Sequence, residues 1–362
     1  MKLLMISGDR SLAAGKQGAF WQTLEGLSTH FERIDVVCPR GGEERSFFGN
    51  VFVHPAPSGL LLQPAFIKRE GTRLVHEYGH QVMTVHEYPP FYNGLGARAL
   101  KWATGMAVCE EIHHLIGEPT AADWKEWLLR PLNRCIPMIT RYADRVRVVN
   151  GGVRERLIAL GVPAEKITIV SSLYLRLETF SPATATPRYD FVFCGRLVPN
   201  KGLITVITAL ARLPGATLLV IGDGPERVRA EAHAKTLGVS DRVTFAGWLP
   251  GPAELAEALR SAKVFVLNSL SEGGPRVLLE AMACGLPVAT TRVGIAPETV
   301  IEGVNGVFHN GSAASLATTL QPLLADADLR SKMGRAGRDV AERYEYVKGI
   351  SAYADFLKSL VK

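Results

Sequence analysis

A chain of 362 residues exceeds one ordinary hydrophobic core, which stops growing at roughly 250–300 residues, and suits two. With 47% hydrophobic and 21% charged residues it is a globular chain, which excludes the disordered, collagen-like and disulfide-scaffold classes. The net charge is +6, and positions 125–156 carry eight Lys/Arg against three Asp/Glu, an excess that suits phosphate-bearing partners or an anionic membrane surface.

At the start of the chain, Lys2-Leu3-Leu4-Met5-Ile6 has the charge of a signal peptide, but Asp9 and Arg10 cut its apolar segment short, so it reads as a first buried strand. Further strands are predicted at 34–38, 51–53, 82–85, 107–111, 145–149 and 166–170, with helices at 18–30 and 124–142 between them. The prolines of Phe180-Ser181-Pro182-Ala183-Thr184-Ala185-Thr186-Pro187 interrupt this rhythm and predict a linker at 181–189. Strands then resume at 190–194, 216–221, 242–246, 264–267 and 287–290, and 331–362 reads as one long helical segment. The expected fold class is α/β, with two Rossmann-like, doubly wound domains (1–180 and 190–345) facing across a cleft. Residues 346–362 are expected to cross back to the first domain. No apolar run approaches the ~18–20 residues of a membrane-spanning helix. Five unclustered cysteines predict a reducing, cytoplasmic setting and no zinc site.

The most informative stretch runs from Leu267 through Ser271-Glu272-Gly273-Gly274-Pro275-Arg276 to Cys284-Gly285-Leu286-Pro287. A buried strand ends, a glycine pair lets the backbone approach something closely, and Pro275 suits a first helical position. A helix opening there aims unpaired N–H groups and partial positive charge at an anion. Glu272 precedes that point, and Glu280 lies inside the helix on the face of Arg276. A carboxylate on either side of a phosphate-binding helix end suits a sugar, a diphosphate and a ribose, because an ionised carboxylate accepts two hydroxyl donors.

On these residues the chain resembles the retaining glycosyltransferases of family 4, a GT-B group that uses nucleotide donors. Glu272 and Glu280 match the family's E-x7-E signature. Gly195-Arg196-Leu197-Val198-Pro199-Asn200-Lys201-Gly202, Gly222-Asp223-Gly224-Pro225 and Gly247-Trp248 follow the family's order. The resemblance implies that Arg196 and Lys201 grip the donor diphosphate, that Glu280 holds the ribose, and that Glu272, Gly273 and Gly274 hold the transferred sugar. It puts Trp248 beside the base and Gly18, from Gly15-Lys16-Gln17-Gly18, near the phosphates. It also implies an active-site histidine at His113, with His114 and His86 as the other candidates. Ser171-Ser172-Leu173-Tyr174-Leu175 stands where most relatives carry a P-N-G-V-D-like turn.

The implied reaction is transfer of a hexosyl group from a UDP- or GDP-sugar to a hydroxyl acceptor, a glycan, lipid-linked or small molecule, with retention, residues 1–180 forming the acceptor domain and 190–345 the nucleotide-sugar donor domain. Cell-surface polysaccharide or glycolipid biosynthesis is the implied setting. With two cations and a helix dipole on the diphosphate, neither metal nor further cofactor is expected, and Asp326-Ala327-Asp328 reads as solvated surface. Trp124, Trp127, Leu128, Arg130 and Arg134 share one helix-like stretch, which suits either a peripheral contact with the inner face of an anionic membrane or a core-packed helix. No RNP, zinc-finger or helix-turn-helix pattern supports nucleic acid as a partner. The rival readings are a GT-B epimerase or phosphorylase, a binding-only scaffold, and a dinucleotide-dependent oxidoreductase. The last lacks a full G-x-G-x-x-G at Gly222.

Overall fold

The alternating apolar runs resolve into two sheets. The computed structural model describes residues 1–16, 18–117, 124–183, 186–272 and 274–361. It comprises two units, 1–172 with 347–362, and 173–346.

The first unit contains β1 (Lys2–Ile6), β2 (Arg33–Cys38), β3 (Arg45–Phe47), β4 (Val51–Pro55), β5 (Val82–His86), β6 (Ala107–Ile112), β7 (Arg145–Val148) and β8 (Ile167–Ile169). Their order in the sheet is β3-β4-β2-β1-β5-β6-β7-β8, parallel except for β3 on β4. Helices Gln63–Tyr78 and Tyr92–Thr104 pack on one face through Phe66, Ile67, Leu74, Ala97 and Leu100. Gly71 and Gly96 permit that approach, since a Cβ at Gly71 would lie 2.3 Å from the Leu100 side chain.

The second unit contains β9 (Tyr189–Cys194), β10 (Leu218–Ile221), β11 (Val243–Gly247), β12 (Ala262–Leu267), β13 (Val288–Thr290) and β14 (Gly306–Phe308). The order is β11-β10-β9-β12-β13-β14, parallel throughout. Both faces are covered by helices, which is why these strands read as continuous apolar runs. Phe191, Phe193, Val264 and Val266 enter one core, while Val192, Phe265 and Leu267 enter the other.

The fold class is as expected, two Rossmann-like α/β domains, but several boundaries differ. The first unit ends at Ser172 rather than 180, because Leu173, Leu175 and Phe180 pack into the second unit's core. Thr184 and Ala185 of the expected linker lie outside the described residues. The 331–362 segment is not one helix. Ala327–Ala341 ends, a short 3-10 turn Glu342–Tyr344 and an extended Glu345 follow, and Tyr346–Lys358 starts afresh. Likewise 124–142 breaks into Trp124–Leu129, Arg130–Cys135, Ile136–Ile139 and Thr140–Tyr142, with Pro131 and Pro137 at the breaks. Among the described residues no helix is long and apolar enough to cross a membrane.

Candidate functional site

In the second sheet β10 and β11 lie to one side of β9 and β12 to β14 to the other, so the chain reverses direction between β9 and β12. Ligands of open parallel sheets bind at the carboxyl ends of the strands beside such a reversal. The segments leaving those two strands carry Arg196 and Lys201, and Glu272 and Glu280.

The segments are stapled to each other. Asn200 Nδ2 donates to Ser271 O (2.9 Å), Leu270 N to Asn200 O (2.9 Å), and Asn268 Nδ2 to Gly202 O (3.0 Å). Gly202 takes φ +65°, and a Cβ there would sit 2.4 Å from Asn268 Nδ2. The same tightness explains Gly222 and Gly224: a Cβ on either would meet Gly195 O at 2.0 Å or Leu197 O at 2.5 Å. These two glycines serve the close approach of strand tips.

Lys201 and Glu272 form an ion pair through Nζ and Oε1, with both side chains largely buried. Ser269 Oγ donates to the same Oε1 at 2.7 Å. The lysine stem lies beside Gly195, within 3.7 Å of where its Cβ would be. Sequence reasoning assigned the two residues to different parts of a ligand and did not foresee that they meet. Arg196 is exposed on the turn above.

Glu280 lies in helix Arg276–Ala283 and is 7% exposed. Its Oε1 stands 3.1 Å from Arg276 Nε, the expected shared face. Burial pushes its carboxyl above the usual range, against the pull of Arg276. Cys194 beside it is raised to about 12 by burial and by the Glu280 charge, so that thiol is inert. Pro275 caps this helix from outside, at φ −69° and ψ 90°, one position earlier than the expected first helical residue. Gly274 packs against Leu173, and Gly273 lies outside the described residues. Trp248 is 73% exposed just beyond β11.

The first unit places the remaining expected residues at its own strand ends. Gly18 precedes helix Ala19–Ser28 and is exposed, with nothing near its Cα face; its neighbour Gln17 lies outside the described residues. His113 follows β6, 31% exposed, with its ring 4.6 Å from that of His86 and Nε2 3.5 Å from Glu111 Oε2. His114 faces outward. Burial and the neighbouring His113 push His86 down to about 4, leaving it neutral.

Glu111 escaped the sequence reading, although a charged residue inside an apolar strand is the signal that could have found it. Burial would raise its carboxyl, but Arg147 at 3.0 Å, His113 and the Tyr353 hydroxyl hold it down at about 2. Arg147 also stacks 3.8 Å over the Tyr353 ring, so the last helix completes this cluster. Asp326 is the N-cap of Ala327–Ala341 and accepts from Leu329 N at 2.9 Å, a structural role.

Two Rossmann-like domains of this kind define the GT-B class of transferases. Among solved structures, Anabaena HepE in complex with UDP matches 99% of this chain and 100% of its own, with a TM-score of 0.80 at 20% identity. A sulfoquinovosyl transferase of Arabidopsis thaliana is 31% identical over 359 residues, 92% of this chain and 68% of the relative. The GDP-mannose-dependent alpha-(1-6)-phosphatidylinositol monomannoside mannosyltransferase of Mycobacterium tuberculosis is 33% identical over 329 residues, 83% of this chain and 82% of the relative. The profile described as "Glycosyl transferases group 1" matches residues 177–340, and that described as "Glycosyl transferase 4-like domain" matches 17–172. The chain belongs to the group 1 glycosyl transferases and is a glycosyltransferase.

Proposed function

We propose that the enzyme moves a hexosyl group from a UDP- or GDP-sugar to a hydroxyl acceptor, with retention at the anomeric carbon and without a metal ion or further cofactor. The observation that carries this reading is the convergence of Lys201, Glu272 and Glu280 at the β9/β12 reversal. The UDP bound by HepE and the GDP-mannose named for the mycobacterial relative support a nucleotide donor. Arg196 and Lys201 take the diphosphate, Glu280 the ribose, Glu272 with Gly273 and Gly274 the sugar hydroxyls, and Trp248 the neighbourhood of the base. Gly18 and His113 belong to the same reaction from the first unit.

The difficult step is expulsion of the nucleoside diphosphate, so catalysis comes mainly from fixed positive charge on the leaving oxygen. Glu272 is engaged by Lys201 and Ser269, and Glu280 is paired with Arg276. Neither stands open as the nucleophile that retaining hydrolases use. The family resemblance implies a same-face reaction, in which the acceptor oxygen attacks from the face the phosphate leaves. The C1–O bond to phosphate breaks, the new C1–O bond forms, and the acceptor proton passes to the departing phosphate oxygen.

A lipid-linked acceptor in glycolipid or cell-surface polysaccharide synthesis fits an exposed surface of the first unit. Trp124, Trp127, Leu128 and Met138 are each at least 60% exposed, with Arg130, Arg134 and Arg141 exposed among them. Indole rings beside arginines suit the headgroup level of an anionic membrane. The mycobacterial relative's name carries a phosphatidylinositol-based acceptor, which supports the same reading.

A panel of UDP-, GDP- and ADP-sugars tests the function, read by thermal shift and slow donor hydrolysis. One nucleotide class should raise the melting temperature and lose its sugar, and no shift with any of them would overturn the proposal. Flotation on anionic against neutral vesicles tests the membrane contact, which enrichment on anionic vesicles supports and equal recovery defeats.

A further inference from the structure

We infer that Glu111 is a positioning residue for the transfer: its carboxylate fixes His113 as the Nε2–H tautomer and leaves Nδ1 to accept a hydroxyl of the substrate. That His113 takes part in the reaction rests on the glycosyltransferase reading.

The first sheet itself builds the arrangement. In the parallel register His86 lies opposite Glu111 and Glu111 opposite Arg147, so β5, β6 and β7 contribute one lateral row. Side chains two apart along a strand share a face, which brings Glu111 and His113 to one side of β6 and sends Glu110 to the other, where Tyr142 donates to it. The rings of His86 and His113 lie 4.6 Å apart with 33° between their planes. His86 thus steadies the face of the His113 ring, and Glu111 stands at its edge.

Glu111 is itself held firmly. Arg147, 2% exposed, donates from Nη1 to Glu111 Oε2 at 3.0 Å, and from Nε and Nη2 to Val170 O (3.1 Å) and Ser171 O (2.8 Å). Tyr353 donates its hydroxyl to Oε1, and its ring lies 3.8 Å from the same guanidinium. These partners keep the carboxyl ionised, at about 2, and an ionised carboxylate only accepts hydrogen bonds. His113 Nε2 is buried, stands 3.5 Å from Oε2 and has no other partner among the described residues. The proton therefore belongs on Nε2, and Nδ1 carries the lone pair. Hydrogen bonds at reacting centres are often long until substrate binds and then tighten, which suits the 3.5 Å separation.

Glu111→Met and Glu111→Gln test this, with melting curves first establishing which variants are folded. Methionine removes the acceptor, while Arg147 keeps its two carbonyls. Glutamine retains an acceptor: its oxygen can face Arg147 and His113, and its amide can donate to the Tyr353 oxygen. In protein labelled with nitrogen-15 histidine, above the titration range of that side chain, NMR should show His113 as Nε2–H in the wild type and in Glu111→Gln. Glu111→Met should give a mixture with Nδ1–H. In donor hydrolysis Glu111→Met should lose about 100-fold in kcat with little change in KM, and Glu111→Gln should recover most of that loss. A merely structural Glu111 would lower the melting temperature and leave the tautomer unmoved. A wild-type His113 protonated on Nδ1, an unchanged tautomer or kcat in folded Glu111→Met, or a Glu111→Gln as slow as Glu111→Met would each overturn the inference. The tautomer is read without any donor. If no nucleotide sugar is hydrolysed or shifts the melting temperature, the glycosyltransferase reading fails, and the hold of Glu111 on His113 is judged on the NMR alone.

Discussion

Lys201 and Glu272 are each other's counter-ions, so a diphosphate arriving at Lys201 meets a cation already held in place rather than one that must be ordered. Arg196 is exposed and has further to move. Removing either charge withdraws stabilisation that matters most as the leaving group departs. Arg196→Ala and Lys201→Ala are each predicted to lower turnover by about 10²–10³-fold in a folded protein, measured as donor hydrolysis. Wild-type rates in the double variant would contradict the assignment. A different residue governs stability. Glu87 is buried, and burial pushes its carboxyl up to about 8 although Tyr88 N and Gly94 N donate to it. The folded state thus keeps a proton that the unfolded chain, with an ordinary value of 4.5, releases. Stability should fall as pH rises from 4.5 towards 8, and Glu87→Gln should flatten that slope. Urea midpoints of both proteins across this window check it, and parallel curves would contradict it. Glu280 and its partner Arg276 were legible in the sequence because helical spacing of four residues places them together. The Lys201–Glu272 pair was not, since 71 residues separate its members and only the sheet order joins them.

At the scale of elements, the β9 and β12 ends are brought together by backbone rather than by side chains. Gly222, at φ +119°, lets the β10 tip close on Gly195 O, where a Cβ would stand at 2.0 Å. Gly222→Ala should therefore cost about 2–4 kcal/mol, from strain and displaced backbone together. Gly215 also has positive φ, +74°, but open space around it, so Gly215→Ala should cost only the left-handed penalty of about 1–2 kcal/mol. Chemical denaturation of the two variants side by side separates contact from conformation, and equal losses would contradict the close-approach account. Elements buried on both faces were the legible ones, as Phe191–Phe193 and Val264–Leu267 show through uninterrupted apolar character. The strands β3 and β14 span three residues each, too short to carry a period. The breaks in 124–142 had a visible cause in Pro131 and Pro137, outweighed in the reading by apolar spacing alone.

For the whole molecule, the two-domain organisation was legible from the restart of strand–helix alternation after 187. The boundary itself was not, because Leu173, Leu175 and Phe180 declare their core only once folded. The last helix belongs to the first unit and closes it with a specific bond, Tyr353 to Glu111. Hydrogen bonds to a charged group contribute about 1.5–3 kcal/mol. Tyr353→Phe should accordingly speed hydrogen exchange in β6 and β7 and leave β9 to β14 unchanged. Uniform acceleration across both units would show that the bond has no local role. The central claim concerns the second unit, where the carboxyl ends of β9 and β12 are assigned to a nucleotide sugar. A crystal structure of the wild-type protein with UDP-glucose or GDP-mannose tests it most directly. The account predicts the diphosphate on Lys201 and Arg196, the ribose on Glu280 and the sugar beside Glu272, and a nucleotide seated away from these four residues would contradict it.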